Sequence, residues 1–132
     1  MNKAIDIMAR TAWGEARGEG LTGMRSVCHV IMNRAEQGGW WGNSVVTVAL
    51  KPEQFSAWNE GDPNRNKMLA VDDSNPDFAA ALSIAANVYE GKLPDNTGGA
   101  THYHTKTVNP FWAEPDKVVA DIGNHIFYRG IA

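Results

Sequence analysis

The sequence predicts a mainly helical α+β domain with a small β element late in the chain. Three observations predict it. Apolar residues recur at helical spacing over three segments in the first two thirds of the chain. Glycines or an Asn-Pro pair mark the ends of those segments. Alternating, β-prone residues appear only after the turn cluster Asp95 to Gly99. The 132 residues fit one compact domain. No repeat, low-complexity tract or linker divides them, so residues 1–132 read as one unit.

The elements follow in order. From about Lys3 to Ala16, residues Ile5, Met8, Ala9, Ala12, Trp13 and Ala16 form one apolar stripe of a helix. Gly14 and Gly18 weaken its end, which puts Glu15 in the last turn, beside a loop. From about Thr22 to Gln37, Met24, Val27, Cys28, Ile31 and Ala35 make a second stripe, closed by Gly38-Gly39. Val45 to Leu50 is a short apolar run before Pro52, one helical turn or an extended piece. Gln54 to Trp58 follows, and then a polar loop is expected up to Asn75. Asn75 as N-cap and Pro76 at the first position open a third helix that Gly91 stops. Thr101 to Thr105 alternates as a strand. After a further polar stretch, Asp121 to Tyr128 contains a strand, with Gly123-Asn124 as a turn or bulge.

Composition excludes several classes. A net charge of −3 does not suit a nucleic-acid binder and leaves no broad cationic surface for anionic membranes. No stretch approaches the roughly 20 apolar residues of a membrane span. Asp6 and Arg10 fall where a secretory signal would carry its apolar region. The chain is therefore expected to stay in the cytoplasm or to leave it without a signal of its own. Cys28, the single cysteine, sits among Val27, Val30 and Ile31 and reads as a buried core thiol. Five tryptophans are many for this length, and their apolar faces with polar edges suit sugar rings as well as a core.

Glu15 is the leading candidate for chemistry. A carboxyl group beside an apolar wall such as Trp13 keeps its proton longer, because burial disfavours the charged form. That is how a general acid is made from Glu. Glu19 would share its face if the helix continued, and like-charge repulsion would then raise one of the two further. Both residues are equally readable as solvated surface acids, with Arg17 as an ion-pair partner. His102 and His104 point to one side of a strand and, with His125, could meet a metal, with Glu15 as the base of a metallopeptidase. The His-Glu-x-x-His pattern is missing, and no metal or other cofactor is expected. Gln54, Ser56, Asn59 and Thr101 could hydrogen-bond a polar ligand. Trp40, Trp41 and Trp58 could be sugar platforms or covers over the ends of helices.

Four blocks carry more than their parts. They are Ala12-Trp13-Gly14-Glu15-Ala16-Arg17-Gly18-Glu19-Gly20, with Val30-Ile31-Met32-Asn33-Arg34 after it; Lys51-Pro52-Glu53-Gln54-Phe55-Ser56-Ala57; Ala100-Thr101-His102-Tyr103-His104 with Pro110-Phe111-Trp112-Ala113; and Ile122-Gly123-Asn124-His125-Ile126-Phe127-Tyr128. In order and spacing they resemble the SleB/CwlJ-type cell-wall hydrolases, known from spore-cortex lytic enzymes and bacteriophage lysins. The resemblance implies a lysozyme-like fold and cleavage of the bond between N-acetylmuramic acid and N-acetylglucosamine. It implies Glu15 as catalytic acid, Gln54, Phe55 and Ser56 bordering the saccharide groove, and Tyr103 and His104 on the opposite wall; Glu19, the neighbour able to tune Glu15, is expected to contact substrate as well. Against that family pattern the chain is expected to lack the signal and peptidoglycan-binding domain of the spore enzymes and to carry a longer polar insertion after Trp58.

These departures lead to an expected bacteriophage lysin, a monomer acting on peptidoglycan glycan strands. It would wait in the host cytoplasm for a separate pore, or be carried in the virion. Glycosidases usually need two carboxylates. Glu19, Glu53, Glu60 and the Asp72-Asp73 pair are candidates for the second, none with a strong motif. A lytic transglycosylase needs only one, because the substrate's own C6 hydroxyl attacks, and this is the expected reaction. The alternatives are a hydrolysing muramidase with a second carboxylate, and a non-catalytic wall-binding or virion structural module.

Overall fold

A computed structural model describes residues 2–131. Five helices come first: α1 Lys3–Ala16, α2 Gly20–Gln37, α3 Val45–Leu50, α4 Pro63–Ala70 and α5 Pro76–Tyr89. A three-stranded antiparallel sheet comes after them: β1 His102–Thr105, β2 Val118–Ile122 and β3 His125–Tyr128, in the order β1-β3-β2. The α+β reading, mainly helical with a late β element, holds.

Caps explain where the helices begin. The Asn2 side chain accepts from the Ala4 and Ile5 amides at the start of α1. Asn75 does the same for Asp77 and Phe78 at α5, and Pro76 needs no donor there. Gly38 and Gly91 close α2 and α5 with positive φ, a region glycine enters without Cβ strain.

Helix α1 is the centre of the fold and packs against each of the other four. Met8, Ala9, Ala12, Trp13 and Ala16 are buried against Met24, Val27, Ile31, Phe78 and Ala85. Burial of each large side chain in this set contributes about 1.5–3 kcal/mol. Cys28 is fully buried within it, as expected.

Two expectations need correction. The segment after Trp58 is not all loop, because Asp62 caps α4 and Pro63 starts it. Its apolar residues make no stripe, so periodicity does not reveal it; tertiary contacts hold it. Met68 is fully buried against Gly14, where a Cβ would clash with its thioether. Arg10 donates to the carbonyls of Met68 and Val71 at 2.6 and 2.8 Å, closing the end of α4. The second correction concerns the stretch before Asp121: Gly123-Asn124 is the turn and His125–Tyr128 the strand as expected, but they belong to a hairpin. Its first strand already begins at Val118, inside the stretch expected to be polar. Gly123, at φ 57°, leads the two-residue turn, where glycine-first loops match the strand twist.

Candidate active site

Helix α1 ends at Ala16, so Glu15 emerges where the helical body meets the sheet. It borders a cavity of about 290 Å³. The walls come from distant parts of the chain: Arg34 at the end of α2, Gln54 and Ser56 between α3 and α4, Tyr103 on β1 and His125 on β3. Asn33 and Arg34 fix the sheet to α2. Asn33 donates to the Ala100 carbonyl at 2.9 Å, and Arg34 Nε donates to the Thr101 carbonyl at 2.7 Å. Those carbonyls lead directly into β1, so the two bonds set the height of Tyr103 above Glu15.

The Glu15 carboxyl is raised from 4.5 to about 7. Burial is the main cause, and the Asp62 carboxylate adds to it. The backbone amides of Ala57 and Ser56, and Arg34, favour the charged form without overcoming the burial. A carboxyl poised near neutrality can give a proton and take one back, as general acid–base catalysis requires. Arg34 is itself lowered to about 10 by burial, against the pull of Tyr103 and Glu15, and stays charged at neutral pH. The Tyr103 hydroxyl is pushed far above its usual range by burial and by Glu15, so it remains a neutral donor.

The predicted residues divide in two. Glu15, Gln54, Ser56 and Tyr103 come together around one cavity. Phe55 does not line it. Its ring is 1% exposed, in the core beneath Arg34, and supports the wall from behind. His104 does not face it either. His104 lies on the opposite face of β1 from Tyr103, and it lines neither this cavity nor its larger neighbour. Tyr103 stacks on Phe127 toward the helices, whereas His104 turns to the Tyr128 hydroxyl at 2.7 Å.

Glu19 is displaced as well. A 3₁₀ turn over Arg17–Glu19 breaks the helix, so Glu19 does not continue the α1 face. Its carboxylate lies 3.8 Å from His125 Nδ1 and close to Gly123, at the tip of the hairpin. The carboxylate that acts on Glu15 is Asp62, not Glu19. Arg17 pairs with neither acid; its guanidinium covers the Trp13 ring and donates to Asn64.

The histidine trio does not converge. His125 pairs across from Thr105, on the face of Tyr103, opposite to His102 and His104. Among the described residues no three His, Cys, Asp or Glu side chains gather to hold a metal ion. His102 instead lies between Trp41 and Trp112, where burial pushes it down to about 4 and keeps it neutral. These rings line a second cavity of about 580 Å³, which shares Arg34, Glu53, Gln54 and Tyr103 with the first. Trp40 is 65% exposed at its rim, with Lys51 over its ring. Trp58 is no platform: its indole N–H is spent on the buried Thr11 hydroxyl at 2.8 Å.

Two residues of the site were not singled out from the sequence. Arg34 had a signal: it falls on the apolar face of α2, three residues after Ile31. Asp62-Pro63 carried the same capping pattern as Asn75-Pro76, but nothing local ties it to Glu15.

Comparison with known proteins yields one family and several relatives. The family model described as Cell Wall Hydrolase matches residues 18–128, beginning just beyond Glu15. The spore cortex-lytic enzyme of Bacillus cereus is 32% identical over 132 residues, covering 95% of this chain and 44% of its own. That of Halalkalibacterium halodurans is 32% identical over 126 residues, covering 93% and 34%. The chain thus spans less than half the length of these curated relatives. Among solved structures, the catalytic domain of the germination-specific lytic transglycosylase SleB from Bacillus anthracis superposes with a TM-score of 0.76. The match is 28% identical and covers 98% of this chain and 96% of that one. The SleB catalytic domain of Bacillus cereus gives a TM-score of 0.69 at 26% identity, covering 96% and 89%.

Proposed function

The chain belongs to the cell wall hydrolase family, and on that premise we propose that it cleaves the glycosidic bond between N-acetylmuramic acid and N-acetylglucosamine in peptidoglycan, as a lytic transglycosylase. The carrying observation is Glu15: a carboxyl at about 7, at the end of the central helix, in a cavity between helices and sheet. The likeness to the SleB catalytic domain, itself named a lytic transglycosylase, supports the same reaction.

Glu15 in its acid form protonates the bridging oxygen, and the bond from that oxygen to C1 of muramic acid breaks. The resulting carboxylate then takes the proton of the C6 hydroxyl, whose oxygen closes on C1 as a 1,6-anhydro sugar. The proton count closes on Glu15, and no second protein carboxylate enters. Burial, helped by the Asp62 charge, keeps the acid form populated near neutral pH, and the Ala57 and Ser56 amides steady the carboxylate between the steps.

A hydrolysing muramidase is the second reading. Glu53 lines the same cavity and takes φ 65°, a left-handed backbone uncommon outside glycine. A water activated there would leave reducing ends instead of anhydro sugars. Mass spectrometry of digested peptidoglycan separates the two, with anhydro-muramoyl products expected. Glu15→Gln should abolish clearing of wall suspensions; unchanged clearing by a folded variant would defeat both readings.

The setting we propose is that of a bacteriophage lysin, held in the host cytoplasm until a separate pore opens the membrane. Co-expression with a membrane-pore protein should lyse a host that either protein alone leaves intact.

A further inference from the structure

Arg34 carries donors that the protein does not use. The residue is 6% exposed, and its Nη1 is buried without a hydrogen-bond partner. Nε is spent on the Thr101 carbonyl. The guanidinium carbon lies 4.1 Å from the Trp41 ring centre and 5.1 Å from that of Phe55, so its flat faces are covered. Among the described residues it forms no ion pair. A buried cationic donor left unmade is costly, and native proteins keep few of them without a purpose.

Its place indicates the purpose. Arg34 stands where the Glu15 cavity joins the aromatic cleft of Trp40, Trp41, His102 and Trp112, and it lines both. A strand lying in the cleft with one bond at Glu15 must pass the Arg34 edge. The role of that edge depends on the proposed glycan cleavage. The glycan strand alternates two sugars, and they differ at one position, the lactyl ether on C3 of muramic acid. An enzyme that cuts only one of the two alternating bonds must read that group close to its acid. The lactyl group offers oxygen acceptors, so the reader must be an unspent donor. Gln54, Ser56, Tyr103 and Thr105 offer only neutral donors, Glu53 is a carboxylate, and His125 Nδ1 is turned to Glu19; a charged donor holds such oxygens more strongly. Arg34 is the one Arg or Lys among the described residues lining the Glu15 cavity.

We infer that Arg34 is a substrate-binding residue whose unspent guanidinium edge holds the lactyl group of muramic acid, and so sets which glycosidic bond reaches Glu15.

The test uses the full chain carrying Glu15→Gln, so that ligands are bound and not cut. Calorimetry compares a stem-free oligosaccharide of alternating N-acetylglucosamine and N-acetylmuramic acid with an oligomer of N-acetylglucosamine alone. Adding Arg34→Gln should weaken the muramic ligand roughly tenfold or more, the range of a charge-assisted hydrogen bond. The N-acetylglucosamine oligomer should change by less than about threefold, within the scatter of surface polar contacts. Equal losses for both ligands, or no loss for either, would overturn the assignment. Should Arg34→Gln fail to fold through its Thr101 contact, a competition with Arg34 in place decides. Free N-acetylmuramic acid should displace the oligosaccharide about tenfold better than N-acetylglucosamine does; equal displacement overturns the assignment. If the Glu15→Gln protein binds neither oligosaccharide, the glycan-cleaving reading itself fails. If it binds both without preference, only the Arg34 assignment falls.

Discussion

Glu15→Gln should make the protein more stable while ending its activity, and the size of the gain comes from the site. In the unfolded chain Glu15 releases its proton near 4.5, whereas in the fold it keeps it until about 7. Below the lower value both states carry the proton, and the site costs nothing. As pH rises from 4.5 to about 7, the unfolded state has lost a proton that the folded state still holds, so stability falls through this window. Above it the loss is complete. At about 1.4 kcal/mol for each tenfold change in proton affinity, the loss is about 3 kcal/mol. Solvent around the partly exposed carboxyl trims this to about 2–3 kcal/mol. Glutamine keeps the shape and never ionises. Urea unfolding of both proteins from pH 4 to 8 should therefore show curves that coincide at the acid end and separate by about 2–3 kcal/mol at the other. The corresponding gain in Tm at pH 8 is roughly 10 °C. A difference constant across pH, or a wild type more stable at pH 8, would refute the buried-acid account. Wild-type kcat/KM should fall above pH about 7, as Glu15 loses its proton.

The neighbours of Glu15 and the core beneath it give further outcomes. Asp62→Asn removes a charge that raises Glu15, so the alkaline limb of the pH–rate profile should move to lower pH; an unmoved limb would show that Asp62 does not reach the acid. Gly14→Ala places a methyl group against the Met68 side chain, with Cγ at 2.8 Å, and should cost about 1–3 kcal/mol in denaturant unfolding. Thr11→Val leaves the Trp58 indole N–H without its partner at 2.8 Å and should cost about 1–3 kcal/mol, again by urea unfolding.

Helices α1, α2 and α5 were legible because their stripes repeat at the helical period and their caps are local. Helix α4 was not legible, since its one buried side chain, Met68, makes no pattern, and α1 provides what holds it. The hairpin was half legible: Gly123-Asn124 marked the turn, but Val118 and Val119, 40% and 41% exposed, lacked the alternation that would place the first strand. In the site, Gln54, Ser56 and Tyr103 were placed correctly around Glu15. Phe55 and His104 were not, because their neighbours in sequence face the groove while they face the core and the far side of the sheet.

The sequence by itself determined the helical frame, the late sheet, the family resemblance and the position of Glu15 at the end of a core helix. Those come from periodicity, capping and short motifs, which act over a few residues. Only the tertiary structure decided what surrounds Glu15. It replaced Glu19 with Asp62 as the charge beside the acid and buried Arg34 between two cavities. It also turned the three histidines to different faces of one sheet. The physical reason is range: proton affinity and unspent donors depend on the burial and charge of groups that are distant in sequence and meet only when the chain folds.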